Sequence, residues 1–556
     1  MSSRPAARHR APPSKLRSPR ATAAAGKRRT LREEMESPAT LGAQAVQLLA
    51  LARRAGSEGL IYAAASEGRA ERLGSLLAGL APDLSVFVLA PWDCLPYDRP
   101  SPSRDVMGRR MRTLGALAGN PPGAVLVTVP DALVQRVPPR EVCRKAAVVI
   151  ASGERFAPED LKRALERIGY CEDERVDEPG EMAFRGQVVD IFPAAACAPV
   201  RLEHEDGVVT AIRAYDPLSQ LSTETIDRLS FDPASEAIDE RADERFPGME
   251  HWLPRFYPRL ETVFDFFPDA ALVLGPGAAE RIESARAQIA DGYESRASSE
   301  RRGAGAPLPP KRLYLNETEW DSRLRERSTI ALRAPAEPAK GEAVPRFVLE
   351  ENPRRAFARF LAKMREDRRR VVLAAPTGSV LARLGRRAEA IVGEAPKPTN
   401  DWGAVLKARK GDVVRLALDL DRGFFDEASG TAVIAASDVF GSAAVGESAG
   451  LASADAVLLT NPDFHIGDVV VHLDYGLGLL AGLEQVPSGD GGASEAVRLA
   501  FRDEDQLLAP MDEMDRIWRY GGESEGVTLD RLDSDAWQKR RAEIGEGHCK
   551  GRARAR

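Results

Sequence analysis

Two strand–turn–helix junctions lie where a nucleotide-binding protein would carry its phosphate loop. That loop needs glycines, so that the backbone can wrap the phosphates, and a lysine followed by serine or threonine. The first junction, residues 64–69, reads Ala-Ala-Ser-Glu-Gly-Arg, and Glu67 would place a negative charge where phosphate should bind. The second, residues 376–379, reads Pro-Thr-Gly-Ser and lacks the lysine. Because the pattern Gly-x-x-x-x-Gly-Lys-Ser/Thr occurs nowhere, we expect no bound ATP or other cofactor and no catalytic residue.

Metal and disulfide chemistry have equally little support. The five cysteines are far apart without a Cys-x-x-Cys pair, and the six histidines show no ligand spacing. We therefore expect no metal site, no disulfide framework and a reducing, cytoplasmic location. No run approaches the ~18 apolar residues of a membrane span, so we expect no membrane partner. The net charge of −6 argues against a globally basic nucleic-acid binder, and 556 residues predict several domains.

The elements that would position any site begin with an α/β pattern. Residues 59–65, 84–90 and 124–129 read as buried strands, and residues 67–78 and 104–117 read as helices between them. Strands that alternate with helices predict a parallel, doubly wound sheet.

A mixed β unit follows. We predict a helix over residues 158–168 and one long strand over residues 182–192. Residues 200–204 and 208–215 flank Glu-Asp-Gly, and Asp-Gly between extended runs is a strong hairpin signal. Further on, strands at 371–375 and 433–436 indicate another α/β unit, to which we assign a scaffolding role.

The last β unit lies between residues 467 and 520. Strands are predicted over residues 468–473, 479–486, 495–502 and 506–510, with Gly476 and Gly478 at a bend after the first. Short strands with glycine bends suit a small SH3-like barrel. Eleven Asp or Glu and four Lys or Arg give this unit a charge of −7, which favours a protein partner over DNA.

Several motifs together resemble one family. These are LAPWDCLPYDRPSPSRDVMGRRMRTLGAL, FRGQVVDIFPA, GDVVVHLDYGLGLLAGLE and LAFRDEDQLLAPMDEMDRIWRYG. The first two are similar to the UvrB-like part of the bacterial transcription-repair coupling factors (Mfd), and the last two to their CarD-like, RNA-polymerase-interacting domain. The resemblance implies an α/β fold: a UvrB-like, degenerate P-loop-type parallel sheet with an inserted small mixed β domain, a further α/β domain, and a C-terminal SH3/Tudor-like β-barrel.

The resemblance implies two partner sites. In FRGQVVDIFPA, Arg185 occupies the Arg-Gly pair of the domain that this family shares with UvrB for binding UvrA. Phe184, Arg201 and Arg213 are further candidates for that site, although a solvated strand face explains the last two equally well. For the β subunit of RNA polymerase, the candidate contacts are Val486, Leu483, Leu479 and Leu480, with Val486 at the centre. DNA is expected to bind only weakly, or through motor domains that the family carries and that would hold ATP.

The domain organisation follows from these patterns. Met1 to Arg32 holds ten Lys or Arg and no acidic residue, a composition typical of disorder. The predicted units are a disordered basic tail (1–40), a UvrB-like domain 1a (41–150), a UvrA-binding domain 2 (151–235), a domain 1b that completes domain 1 (236–346), an α/β domain 3 (347–448), a linker (449–463), the CarD-like domain (464–530) and a truncated helix start with an aberrant tail (531–556).

Three functional hypotheses remain open. The resemblance stops near residue 541, and the Gly/Arg-rich ending suggests a truncated or frameshifted product. The first hypothesis is a motorless adaptor that binds RNA polymerase and UvrA, with the UvrA site permanently uncovered. The second is an incomplete part of an ATP-dependent DNA translocase. The third is a CarD-like transcription regulator, which the UvrA-type motif disfavours.

Overall fold

The computed structural model describes residues 32–217, 221–238, 245–300, 306–335, 344–441, 467–472, 476–487, 493–502, 505–510 and 517–519. The predictions for residues 1–31, for the linker over 449–463 and for the tail over 531–556 lie outside these ranges.

The first domain is built on a six-stranded, wholly parallel sheet. Its central strands β2 (Leu60–Ala63) and β4 (Val125–Thr128) are buried on both faces and are therefore short continuous apolar runs rather than alternating ones. In spatial order they are β1 (Arg32–Glu36), β16 (Thr329–Arg333), β15 (Ala271–Leu274), β2 (Leu60–Ala63), β4 (Val125–Thr128) and β3 (Val86–Leu89). The helices are α1 (Leu41–Ala55), α2 (Glu67–Leu80), α3 (Arg104–Ala118), α4 (Pro130–Val134), α5 (Arg140–Lys145), α7 (Leu253–Phe256), α8 (Val263–Phe266), α9 (Ala278–Glu300) and α10 (Glu317–Arg325).

Strand β1 corrects the predicted start of the ordered chain. Arg32–Glu36 pairs in parallel with β16 at the edge of the sheet, although these residues were assigned to the disordered tail. The strand carries four charged residues of five, so its sequence lacks an apolar pattern. Its backbone hydrogen bonds to β16 hold it in place.

The second domain is inserted into the first. The chain enters through β6 (Val148–Ala151) and leaves through β13 (Arg228–Phe231), which pair antiparallel. Between them lie α6 (Pro158–Arg167) and a six-stranded sheet in the order β12 (Ser222–Thr225), β11 (Val208–Tyr215), β10 (Val200–Glu205), β9 (Val188–Ile191), β8 (Glu181–Arg185) and β7 (Cys171–Glu172). A second two-stranded pair, β5 (Arg136–Val137) with β14 (Glu261–Thr262), belongs to the first domain.

The long strand predicted over residues 182–192 is wrong. The chain turns back at Gly186, whose φ of +62° is a left-handed conformation that favours glycine, and β8 and β9 pair as a hairpin. The second predicted hairpin is confirmed: Asp206 and Gly207, with φ of 45° and 74°, join β10 to β11.

The third domain is a five-stranded sheet with helices on both faces. The strand order is β18 (Lys397–Thr399), β19 (Val413–Ala417), β17 (Arg370–Ala375), β21 (Thr431–Ala435) and β20 (Phe424–Asp426), all parallel except β20. Its helices are α11 (Pro353–Glu366), α12 (Gly378–Val392), α13 (Trp402–Lys407) and α14 (Ala436–Phe440).

The first and third domains share a hydrophobic core. Leu420 and Phe424 pack into the same buried cluster as Leu48 of α1. Gly42 of α1 permits this contact, since a Cβ there would lie 2.5 Å from the Phe424 ring. The third domain is therefore docked on the first, which alternating strands and helices alone did not reveal.

The fourth domain is a five-stranded antiparallel sheet. Its order is β25 (Gln506–Pro510), β24 (Ala493–Ala500), β23 (Gly476–Pro487), β22 (Val469–His472) and β26 (Ile517–Arg519). The predicted alternation is confirmed, because Val497, Leu499 and Phe501 are buried together. The predicted glycine bend is wrong at Gly478, which lies inside β23 and pairs with Val470, whereas Gly476 is the first residue of β23 and has a φ of +85°.

Membrane spans and metal ligands can be assessed for the described residues only. Among them, no helix is both long and apolar enough to cross a bilayer. Within the same residues, no three His, Cys, Asp or Glu side chains are grouped as metal ligands would be.

Candidate interaction surfaces

The sheet of the second domain has one core face and one outward face. Met182, Val189 and Leu202 point into the core against α6. Strand alternation sends their neighbours outward, so that Asp190, Arg201 and Arg213 form one row across β9, β10 and β11. Arg185, Val188 and Glu203 form the adjacent row on the same face. The fold thus brings together the three arginines that the sequence singled out.

Arg201 is held by its own sheet. Its guanidinium donates to both carboxylate oxygens of Asp190, at 2.7 and 3.0 Å, and lies 4.8 Å from the centre of the Tyr215 ring. Asp190 is only 5% exposed, whereas the Arg201 side chain is 31% exposed, so water reaches the pair only from the arginine side. The hydrogen bond to Asp190 raises the pKa of Arg201, and burial raises the pKa of Tyr215 to about 12. Because two hydrogen bonds hold the Arg201 guanidinium in one orientation, this residue stabilises the arrangement of side chains on the outward face.

Arg213 and Arg185 differ in the kind of partner they have. Arg213 donates to the carboxylate of Glu203, and both side chains are about 40% exposed. Arg185, at the tip of the β8–β9 hairpin, donates to the backbone carbonyl of Glu174 and is exposed. It makes no ion pair within the described part of the chain. Arg185 is therefore the arginine of this face whose charge is most available to a carboxylate from outside.

Phe184 does not belong to this face. It is half-buried and packs against the core on the opposite side of the sheet from Arg185. Because successive strand residues point to opposite faces, Phe184 and Arg185 cannot both contact one partner with their side chains on the same surface. Asp190 and Tyr215 were missed by the sequence reasoning, although the Val-Val-Asp-Ile run places a lone carboxylate among apolar residues.

The candidate polymerase contacts all lie on β23. Leu480 is 1% exposed in the core of the sheet, so it is not a surface contact. Leu479 is half-buried beside Val469 and Val471. The backbone of Leu483 pairs with Val497 and that of Val486 with Ser494.

The second half of β23 has one free edge among the described strands. Residues 482–487 pair with β24 on one side, whereas β22 pairs only with residues 476–479. An unpaired strand edge can accept another strand.

The first candidate phosphate junction, between β2 and α2, lies beside a buried tyrosine and a hydrogen-bonded arginine. At the end of β2, Tyr62 is fully buried, and burial raises its pKa. Arg69 of α2 donates to the Gln44 side chain at 2.8 Å. Glu67 lies in the first turn of α2, where a phosphate would need to meet free N–H groups.

Two families match separate parts of the chain. Residues 148–236 match the UvrB interaction domain, and residues 464–521 match the CarD-like/TRCF RID domain. The first range contains the arginine face, and the second contains β22–β26.

Relatives that align along most of this chain agree with these two matches. A transcription-repair-coupling factor of Escherichia coli (strain K12) is 28% identical over 516 residues, covering 84% of this chain and 43% of that protein. Those of Haemophilus influenzae and Myxococcus xanthus are 26% and 28% identical, covering 86% and 91% of this chain and 44% and 48% of the relatives. The chain thus spans less than half the length of these relatives. Over 84% to 91% of its own length, it matches the N-terminal part of the transcription-repair-coupling factors, the Mfd proteins.

Proposed function

We propose that this chain is an adaptor in transcription-coupled DNA repair, which binds UvrA through the outward face of the second domain and RNA polymerase through β23. The observation that carries the proposal is Arg185: an exposed guanidinium at a hairpin tip, beside two arginines that carboxylates of the same sheet already hold. The match of residues 148–236 to the UvrB interaction domain supports UvrA as the partner.

The first test is a titration of UvrA with the wild-type chain and Arg185→Ala, without ATP or polymerase. A charge-assisted hydrogen bond contributes roughly 1.5–3 kcal/mol, so the variant should bind about ten-fold more weakly or worse. Arg163→Ala is the matched control, because Arg163 is exposed on α6, which packs on the core face of the same sheet. Equal affinity of wild type and Arg185→Ala would remove Arg185 from the site, and no binding by either would refute the adaptor function.

The polymerase contact is proposed at the free edge of β23, where a strand of the β subunit would extend the sheet. Val486 lies on this edge segment, and Val486→Arg should abolish capture of RNA polymerase, since an arginine buried without a partner costs several kcal/mol. Leu508→Arg is the matched control, because Leu508 is 40% exposed on β25 at the far edge. A folded Val486→Arg chain that captures polymerase at wild-type strength would contradict the contact.

The chain itself is proposed to bind no ATP. Support comes from the missing phosphate-loop lysine and from the negative charge of Glu67 in the first turn of α2. The competing hypothesis, an incomplete part of an ATP-dependent translocase, is favoured by the coverage of less than half of each relative. DNA-stimulated ATP hydrolysis that a substitution within this chain abolishes would favour that hypothesis instead.

A further inference from the structure

Helices α11 and α12 form the outer layer of the third domain. Phe357 and Leu361 of α11 and Leu384 of α12 pack on the sheet face that carries Val371 and Leu373. The alternate residues of that strand, Val372 and Ala374, point into the core shared with the first domain. The unburied surfaces of both helices therefore face away from the first domain.

This layer is strongly basic in an acidic chain. Residues 353–393, which run from α11 through β17 to the end of α12, contain eleven Lys or Arg and three Asp or Glu, a net charge of +8, and the two helices alone carry eight Lys or Arg and two Glu. Since the whole chain carries −6, all other residues together carry −14. Such a local reversal of sign marks an electrostatic footprint for an anionic partner.

The centre of the layer is a stripe along α11. Arg355, Arg359 and Lys363 follow one another at intervals of four residues and are all exposed. Within the described part of the chain, none of the three pairs with a carboxylate. Like charges at this spacing destabilise a helix, so the stripe lowers the stability of the isolated chain.

Neighbouring cations at the start of β17 already have partners within the domain. Arg369 makes two hydrogen bonds of 2.8 Å with Glu427, and Arg370 donates to the carbonyls of Ala408 and Ser429. Residues 353–393 therefore contain two kinds of cation. Those at the start of β17 are bonded to other parts of the domain, and those on the outer side of α11 face solvent.

The stripe fits a phosphate backbone better than a protein surface. Protein interfaces are centred on aromatic and other large apolar groups, whereas the exposed positions of α11 hold only Ala362 and charged residues. The three cations span ~12 Å of helix at 1.5 Å per residue. Duplex DNA presents about one charge per 1.7 Å of its axis, which supplies a phosphate for each cation.

We propose that the outer face of α11, with Arg355, Arg359 and Lys363 at its centre, binds the phosphate backbone of duplex DNA without reading its base sequence. This gives the third domain a role beyond scaffolding, and it does not depend on the UvrA or polymerase contacts. Phosphate contacts fix position but carry no sequence information, so duplexes of different sequence should bind equally well.

The test compares the full chain with Arg355→Gln/Arg359→Gln/Lys363→Gln by fluorescence anisotropy on a labelled duplex of about 20 base pairs at several salt concentrations. Each lost phosphate contact lowers the slope of log affinity against log salt by about 0.9, so the slope should fall by about 3. Affinity at low salt should fall by about ten-fold or more. Glutamine suits a helix, so circular dichroism should show unchanged folding.

The matched control is Arg228→Gln/Arg259→Gln/Arg325→Gln. It removes the same net charge from three exposed arginines that lie far apart in the sequence, and it should keep both slope and affinity near wild type. An unchanged slope in the α11 variant, or an equal loss in the control, would overturn the proposal. So would equally tight and equally variant-sensitive binding of polyglutamate, because that result would assign the stripe to an acidic protein.

Discussion

The outward sheet face of the second domain and the outer helix layer of the third domain are both rich in arginine, but they use it differently. On the sheet, Arg201 and Arg213 are directly opposite one another, and Asp190 and Glu203 neutralise them. On α11, Arg355, Arg359 and Lys363 have no carboxylate partner among the described residues. An arginine that is paired with a carboxylate of its own sheet stabilises that surface, whereas an arginine without such a pair has a charge that is available to a binding partner. This difference separates residues that should affect stability from residues that should affect binding.

The largest expected effect is on stability, at the most tightly held arginine. Arg201→Ala would leave Asp190, 5% exposed, without its cation. Removing one partner of a buried pair is strongly destabilising, and the part-exposure of Arg201 reduces the expected loss to about 2–4 kcal/mol. Native-state hydrogen exchange of the β9 and β10 amides would measure it.

Two variants sharpen this prediction. Arg213→Ala breaks an exposed pair and should cost less than about 1 kcal/mol. Asp190→Asn added to Arg201→Ala should recover much of the loss, because it removes the orphaned charge. If Arg201→Ala and Arg213→Ala were equally mild, the distinction between paired and available arginines on this sheet would fail.

A smaller effect, on the pH dependence of stability, is expected inside the third domain, at the buried carboxyl group of Asp438. Asp438 accepts hydrogen bonds from the backbone N–H groups of Gly423 and Ala435, at 2.8 and 3.0 Å. Burial raises its pKa to about 6, against the attraction of Arg422 and Arg346. Because the pKa is higher in the folded chain, the stabilising contribution of this group is full below pH ~4 and is lost as pH rises through about 6.

Asp438→Asn keeps an acceptor for both N–H groups and removes the titration. The unfolding free energy of wild type relative to Asp438→Asn should therefore fall by roughly 1–3 kcal/mol between pH 4.5 and 7.5. The difference between the two proteins cancels the contribution of groups with the opposite pH dependence. His251 is one of them, because burial lowers its pKa to about 4. A pH-independent difference would mean that Arg422 and Arg346 outweigh the effect of burial on Asp438.

The sequence predicted secondary-structure elements better than it predicted interaction surfaces. The strands of the first sheet follow from apolar runs, and the β10–β11 hairpin follows from Asp-Gly. The turn at Gly186 was missed because Arg-Gly-Gln between apolar residues reads as a continuous strand. β1 was missed because its charged sequence depends on β16 for pairing.

The sites show the same limit. Arg185 was identified through the motif, but the roles of Asp190 and Tyr215 depend on cross-strand register, which residue types along one strand do not specify. Period-two alternation could have placed Phe184 on the opposite face from Arg185. The basic layer was visible in the composition of residues 353–393, but its outward orientation required the packing of both helices on the sheet.

The separation of the two arginine-rich surfaces is tested most directly by titrating the wild type, Arg185→Ala and Arg355→Gln/Arg359→Gln/Lys363→Gln with UvrA and with duplex DNA. We expect Arg185→Ala to bind UvrA about ten-fold more weakly while its DNA affinity and salt slope stay at wild-type values. The α11 variant should show the reverse, with a lower salt slope on DNA and unchanged UvrA affinity. If either variant weakened the binding of UvrA and the binding of DNA equally, the two surfaces would not be separate sites, and the assignment of one ligand to each surface would be contradicted.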